Sequence, residues 1–296
     1  MASSELSGTD LLAWRRKQLS RGGYGADLDW LLDLAGGLRW TELQRLHLDP
    51  CARVVTLSCA LEELELLWRR HLDCHEPLQH LVGCCPWRDF ELTVSSAALI
   101  PRQETELLVD LALDCVSVKP NSLGSGRWAD LGTGSGALAV ALARALPHWS
   151  GHGVDCSEAA LALARTNLER LAGSADWQLH AGDWWTPLEP WWGGLQLVVA
   201  NPPYIPASTV DLLDPVVRDY EPRLALDGGP DGLHSIASIV MSAGRALAPG
   251  GWLLMEHHHD QSEPVAALCR KAGLEDVRAE RDLEGVARFC IARRSS

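Results

Sequence analysis

The spacing of apolar residues changes near residue 84, and the change divides the chain into two stretches of different character. Before it, apolar positions recur every three or four residues. "TDLLAWRRKQL" carries Leu11, Leu12 and Trp14, with Thr9 as the expected N-cap. "DLDWLLDLAGG" is expected to stop at Gly36-Gly37. "TELQRLHLD" follows, and then "LSCALEELELLWRRHL", with Leu57, Leu61, Leu64 and Trp68 at helical spacing. Each pattern predicts a short amphipathic helix with an identifiable start or stop. Helices of this kind joined by short turns pack as a small bundle. Residues 1–84 are therefore expected to form an N-terminal helical domain, either a substrate-docking module or a plain structural one. No catalytic constellation is visible in it.

From Trp87 the period drops toward two. "FELTV" places Phe90, Leu92 and Val94 on one side, as a strand does, and "ETELLVDLAL" after Pro101 reads as a helix. "KPNSLGSG", residues 119–126, reads as a loop. Strands and helices then alternate: "RWADLG" and "GALAVALARAL", "GHGVDC" and "SEAALALARTNLERL", the latter with Ser157 as its expected N-cap. "WQLHAGD", "LQLVVAN" and "GWLLMEH" are further strands, and "VRAERD" and "ARFCIARR" close the chain. Such alternation predicts an α/β domain over residues 85–296, with a mostly parallel sheet covered on both faces. Ligands of such sheets bind beyond the carboxyl ends of the strands.

Composition narrows the classes. The net charge is −13, from 26 basic and 39 acidic residues, so the basic face expected of a duplex-binding protein is missing and no nucleic-acid partner is expected. The nine cysteines are odd in number and include no C-x-x-C, which supports neither a disulfide framework nor a zinc site; no metal is expected. No apolar run approaches the roughly 18 residues that cross a membrane. "MASSELSGTD" lacks the basic start and apolar core of a signal peptide and the arginines of a transit peptide. A cytoplasmic protein without a membrane partner is expected.

The candidate chemistry lies at the predicted strand ends. In "ADLGTGSGALAVALA" the loop Gly132, Thr133, Gly134, Ser135, Gly136 joins a strand to a helix. Its glycines let the backbone approach a ligand closely, and the helix that follows offers free N–H groups. The pattern is one residue tighter than the G-x-G-x-x-G of dinucleotide folds. Asp155 ends the next strand, where a carboxylate can accept from both hydroxyls of a ribose. Asp183 ends the third, and with Trp184 could hold an adenine by its amine and its face. The plainer alternative for these acids is a helix cap or a turn. A nucleoside on this scaffold leaves two main cofactors, a nicotinamide dinucleotide or S-adenosyl-L-methionine.

"LQLVVANPPYIP" separates those two. A buried apolar strand ends abruptly at Asn201-Pro202-Pro203-Tyr204, and prolines have no N–H with which to continue a ladder. A planar –NH₂ group arriving at this elbow has two donors. The Asn201 carboxamide oxygen can accept one and the Pro202 carbonyl the other, while the Tyr204 ring lies against the flat face. Two preorganised acceptors draw the hydrogens toward tetrahedral geometry and return the lone pair to nitrogen, which can then attack a sulfonium methyl held in line. Hydride transfer needs no such acceptor pair. Asn201, Pro202 and Tyr204 are thus the candidate catalytic residues, with S-adenosyl-L-methionine as cofactor.

At this point the chain resembles the HemK/PrmC-type glutamine N5-methyltransferases that modify class I peptide release factors. The resemblance is carried by "EPLQHLVG", "LIPRQETELLV", "DLGTGSGALAVALA", "GDWW", "NPPYIP", "EPRLALDGGPDGL" and "RDLEGVAR", across nearly the whole chain. It implies a small N-terminal helical domain, a β-hairpin hinge and a seven-stranded, Rossmann-like class I methyltransferase domain. It implies that Gly132 to Gly136, Asp155, Trp184 and Asn201 line the cofactor. It implies further that residues 201–204, Pro203 included, hold the glutamine of a Gly-Gly-Gln loop, with Arg102 at the mouth of the site. One departure is "LLMEHHHDQ", since the family usually has a glycine near His258. His257, His258 and His259 are expected in a solvent-facing loop, because three successive residues cannot share one face. A nucleic-acid adenine N6-methyltransferase would use the same amine-holding chemistry and is the alternative; it would need a basic groove for a flipped base. A non-catalytic relative that keeps the fold is a third reading, opposed by the intact Asn201 and glycine loop.

Overall fold

The computed structural model describes residues 4–49, 54–117 and 125–296. Cys51 and most of the loop expected over 119–126 lie outside the described residues. The chain forms two compact units: Met1–Gly83 with Pro215–Tyr220, and Cys84–Asp214 with Glu221–Ser296.

The first unit contains β1 (Ser4–Ser7), α1 (Gly8–Leu19), α2 (Gly25–Leu34), α3 (Trp40–Leu48), β2 (Val54–Leu57), α4 (Leu61–Cys74) and α5 (Leu78–Val82). Its core gathers Leu11, Leu28, Leu31, Leu43, Leu64 and Trp68, the apolar stripes of α1 to α4. Two local expectations are corrected. Ser7, not Thr9, caps α1, because its hydroxyl accepts from the Asp10 N–H three residues on (3.1 Å). Leu57 is not in a helix: it closes β2, which pairs antiparallel with β1 (Ser4 opposite Leu57), so its backbone joins a ladder while its side chain stays in the core. The unit is therefore helical with a two-stranded ribbon. It also takes in residues 215–220 from much later in the chain, where the Tyr220 hydroxyl donates to the Cys74 carbonyl (2.7 Å).

The second unit opens with an antiparallel hairpin of β3 (Cys84–Trp87) and β4 (Phe90–Thr93). After α6 (Glu106–Ser117) come β5 (Arg127–Leu131), α7 (Ala137–Ala145), β6 (Ser150–Asp155), α8 (Glu158–Ala172), β7 (Trp177–Ala181) and β8 (Leu195–Ala200). The single turns α9 (Ala207–Val210) and α10 (Pro215–Arg218) follow, α10 within the first unit. The chain then forms α11 (His234–Ala246), β9 (Leu247–Glu256), α12 (Ser262–Lys271), β10 (Glu275–Arg281) and β11 (Ala287–Arg293). One seven-stranded sheet runs in the order β10-β11-β9-β8-β5-β6-β7, parallel except for β11, which is antiparallel to both neighbours. This is the mostly parallel sheet the alternation predicted, with the seven strands the resemblance implied.

Alternate residues explain why the central strands read as unbroken apolar runs. Leu197 and Val199 of β8 pack with α6 and α7 on one face. Val198 and Ala200 pack with α11 and α12 on the other. A strand buried on both sides has no polar face to interrupt the run. The sheet also sets the site. β5 lies between β6 and β8, so the strand order reverses beside it and the loops leaving β5 and β8 open side by side at their carboxyl ends. Among the described residues no helix is long and apolar enough to cross a membrane.

Candidate active site

A cavity of about 380 Å³ lies at those carboxyl ends, within the range typical of small-molecule sites, roughly 300–1,000 Å³. Gly132, Thr133, Gly134 and Ser135 line it from the loop after β5, Asp155 from the end of β6, Asp183 and Trp184 from the loop after β7, and Asn201 and Pro203 from the loop after β8. Arg102 lines it too. Pro202, Tyr204 and Gly136 are not among the lining residues. The remaining sequence-predicted residues, Arg102 apart, thus converge on one hollow from four strand ends.

The glycine loop is closed by bonds to β5 just before it and to the end of the adjacent strand β6. Gly132, Gly134 and Gly136 all have positive φ (75°, 55° and 83°), which glycine adopts without a Cβ clash. The N–H groups of Gly132 and Thr133 both donate to the Val154 carbonyl (2.9 and 2.8 Å). Thr133 Oγ1 donates to Asp130, whose carboxyl is buried and pushed up to about 7 by loss of solvent. Asp155 accepts the Gly134 N–H on one oxygen and the Ser157 N–H on the other, 2.9 Å each, so it braces the loop as well as facing the cavity. Ser157 caps α8 as expected, accepting from the Ala160 N–H. A Cβ at Gly134 would find only Ala98 and the Gly132 carbonyl, at 3.7 and 3.9 Å, which leaves the cradle open. Trp184 is held at φ 42°, a left-handed conformation that costs a non-glycine residue of order 1–2 kcal/mol. Its ring lies against Gly132, where an added Cβ would come within 3.2 Å. Asp183 beside it is exposed.

The elbow after β8 is closed differently. Ile205 donates its N–H to Leu226 O and accepts from Gly228 N–H, at 3.0 and 2.8 Å. A Cβ on Gly228 would stand 2.8 Å from both Pro203 O and Tyr204 Cα, so only glycine lets the two segments meet. The "LDGGPDG" block thus works as a backbone clamp on the elbow. Side chains then fix its polar groups. Asn201 Nδ2 lies 3.1 Å from Thr105 Oγ1, Thr105 Oγ1 lies 2.6 Å from one Glu256 oxygen, and the Tyr204 hydroxyl donates to the other at 3.1 Å. Burial raises the Glu256 carboxyl above its ordinary range, while the two hydroxyl donors and the charge of Arg288 act in the opposite direction. Burial and the neighbouring Glu256 also raise the Tyr204 phenol, which keeps it a proton donor. Arg102 pairs with Glu221 (2.6 Å), which also accepts the Ile100 N–H, and the Trp87 indole donates to Arg102 O.

Three of these partners, Thr105, Glu221 and Glu256, were not singled out from the sequence. Thr105 sits inside the quoted "LIPRQETE" block and Glu221 opens "EPRLALDGGPDG". Glu256 did leave a signal, a carboxylate ending the otherwise apolar run "WLLME" at a strand's carboxyl edge.

The chain is 57% identical over 288 residues to the release factor glutamine methyltransferase of Prochlorococcus marinus, spanning 97% of each. The chain belongs to the release factor glutamine methyltransferases. It is also 40% identical to the Synechocystis sp. member, again across 97% of both. Residues 110–229 match the methyltransferase small domain family. In fold it is similar to the hMettl16 catalytic domain, solved in complex with the MAT2A 3'UTR hairpin 6, at a TM-score of 0.56 and 14% identity over 82% of this chain and 85% of that one.

The histidine departure from the family is corrected in part. His257 is buried, not solvent-facing: its N–H pairs with Arg288 O (2.8 Å), which extends the β9–β11 ladder by one residue, and its ring Nδ1 lies 2.8 Å from His258 O. Burial lowers its pKa. His258 is half-buried beside Asp260, and His259 is exposed. Among the described residues no group of three or more His, Cys, Asp or Glu is placed to hold a metal.

Proposed function

We infer that this release factor glutamine methyltransferase transfers a methyl group from S-adenosyl-L-methionine to the side-chain amide nitrogen (N5) of the glutamine in the Gly-Gly-Gln loop of class I release factors. The observation that carries the reading is the Asn201 carboxamide at the rim of the cavity that the glycine loop lines. The cavity fits the cofactor on its donor set. Asp155, Asp183 and Asp227 line it and suit a ribose diol, an exocyclic amine and a cationic sulfur, while the open cradle at Gly134 admits a close ligand. When bound, the cofactor supplies an electrophilic methyl on a sulfonium.

The chain's own residues do the remainder. Asn201 Oδ1 and the Pro202 carbonyl accept the two amide hydrogens, so the nitrogen lone pair leaves conjugation and points at the methyl. Pro203 stiffens the elbow and Tyr204 backs it. Proximity and preorganised acceptors carry the rate, and the amide proton is released to solvent after methyl transfer. Arg102, fixed by the buried Glu221, stands where a partner's loop would enter. The hairpin β3–β4 is the proposed hinge after an N-terminal domain of residues 1–84 that docks the partner. A cytoplasmic setting, without membrane or nucleic-acid partners, goes with this reading.

The test is direct. With labelled S-adenosyl-L-methionine, a release factor carrying the Gly-Gly-Gln loop is expected to take label at glutamine, and duplex DNA is expected to take none. Label in DNA alone would assign the adenine chemistry instead.

A further inference from the structure

The acceptor role of Asn201 has a geometric requirement. A primary carboxamide has one accepting end and one donating end, nearly equal in shape. If Nδ2 pointed at the substrate, two donors would face each other and the acceptor pair would be lost. The site therefore needs a group that holds Nδ2 away from the substrate.

Thr105 is placed to do this. It is buried, at 5% exposure, and its single hydroxyl proton goes to a Glu256 oxygen 2.6 Å away. Its oxygen then has only lone pairs left for Asn201, 3.1 Å off. An oxygen without a spare proton can pair with Nδ2 and not with Oδ1, so the amide orientation follows from where the threonine proton goes. Glu256 sets that direction. Both of its oxygens receive hydroxyl donors, from Thr105 and from Tyr204, the pattern of the carboxylate form, which accepts only and returns no proton to the chain. Tyr204 also gives up its own hydroxyl proton in this network, which ties the elbow's aromatic ring to the same carboxylate.

We propose that Thr105 and Glu256 are positioning residues that polarise the chain Glu256–Thr105–Asn201, so that Oδ1 of Asn201 faces the substrate amide as an acceptor. The proposal rests on the glutamine-methylation reading and adds to it the residues that set the sense of the acceptor. Neither residue lies in the elbow sequence: Thr105 comes from the start of the α6 region and Glu256 from the end of β9.

The experiment measures kcat, KM for the release factor and cofactor affinity by calorimetry in Thr105→Val, Thr105→Ser, Glu256→Gln and Asn201→Ala, singly and with Asn201→Ala combined with each of the others. Thr105→Val keeps the shape and removes the hydroxyl. It is expected to lower kcat about 10–100-fold, the usual cost of losing a group that orients a functional side chain, with KM and cofactor affinity held. Thr105→Ser restores most of that rate. Glu256→Gln removes the charge and turns one of the two accepting positions into a donor, so Thr105 and Tyr204 can no longer both donate to it, and kcat falls in the same way. In the Asn201→Ala background both losses vanish, because the residues act through Asn201. A wild-type kcat in Thr105→Val or in Glu256→Gln, or losses that multiply with that of Asn201→Ala, would overturn the proposal. If either single variant fails to fold, the other carries the cycle. Wild-type protein that methylates no glutamine would sink the parent reading instead, a result the variants cannot mimic.

Discussion

The two walls of the cavity are built by different means. The glycine-loop wall is closed from nearer by: Asp130 meets Thr133 across 3 positions, Asp155 meets Ser157 across 2, and Asp155 reaches Gly134 across 21 from the next strand. The elbow wall is closed by residues remote in sequence: Thr105 reaches Asn201 across 96 positions and Glu256 across 151, and Tyr204 meets Glu256 across 52. The first wall shapes a cradle mainly with backbone, so many substitutions there would disturb shape or stability before chemistry. The second aims side-chain acceptors, so its loss would fall on turnover while the fold persists.

Breaking the second wall is expected to have the largest effect. Asn201→Ala should fold and bind cofactor, yet lose ~10²–10³ in kcat, the usual cost of one preorganised polar partner; single-turnover methylation with cofactor calorimetry measures both. A variant with near-normal turnover would remove the acceptor pair from the mechanism. Asp155→Ala comes next. A carboxylate hydrogen bond is worth roughly 1.5–3 kcal/mol, so cofactor affinity should fall by about 10–100-fold. Unchanged affinity would leave Asp155 as a brace for Gly134 and nothing more.

Gly136→Ala tests the shape of the first wall. A Cβ there would sit 3.1 Å from Ala164 Cα at φ 83°, so overpacking should lower stability by about 1–3 kcal/mol in urea titration. A loss of turnover without a loss of stability would contradict the division between the walls. Ser157→Ala is the mildest: removing the α8 cap should cost ~1 kcal/mol of stability and leave kcat in place.

Much of this was legible in the chain because it is local. The alternation of "RWADLG", "GHGVDC" and "LQLVVAN" with helical stretches showed a parallel sheet, since burial on both faces leaves continuous apolar runs. Ser157 was recognisable as a cap because its partner, Ala160, is three residues away. Thr9 suits a cap by residue type, and only the backbone shows that Ser7 is the residue extended at the helix start. Leu57 fitted a helical stripe by spacing, and its pairing with Ser4 is invisible until the ribbon forms. The run of three histidines suggests a surface loop because three successive residues cannot share one face, but the His257 backbone continues the ladder to Arg288 and its ring is buried.

The sequence by itself determined the strand and helix order, the glycine loop and the elbow, because each depends on residues a few positions apart and on fixed backbone preferences. Only the tertiary structure decided how Asn201 is held. That depends on a hydroxyl from the α6 region and a carboxylate from β9, brought together by the sheet order. A hydrogen bond needs its partners near 3 Å apart, and no spacing rule along the chain carries that distance.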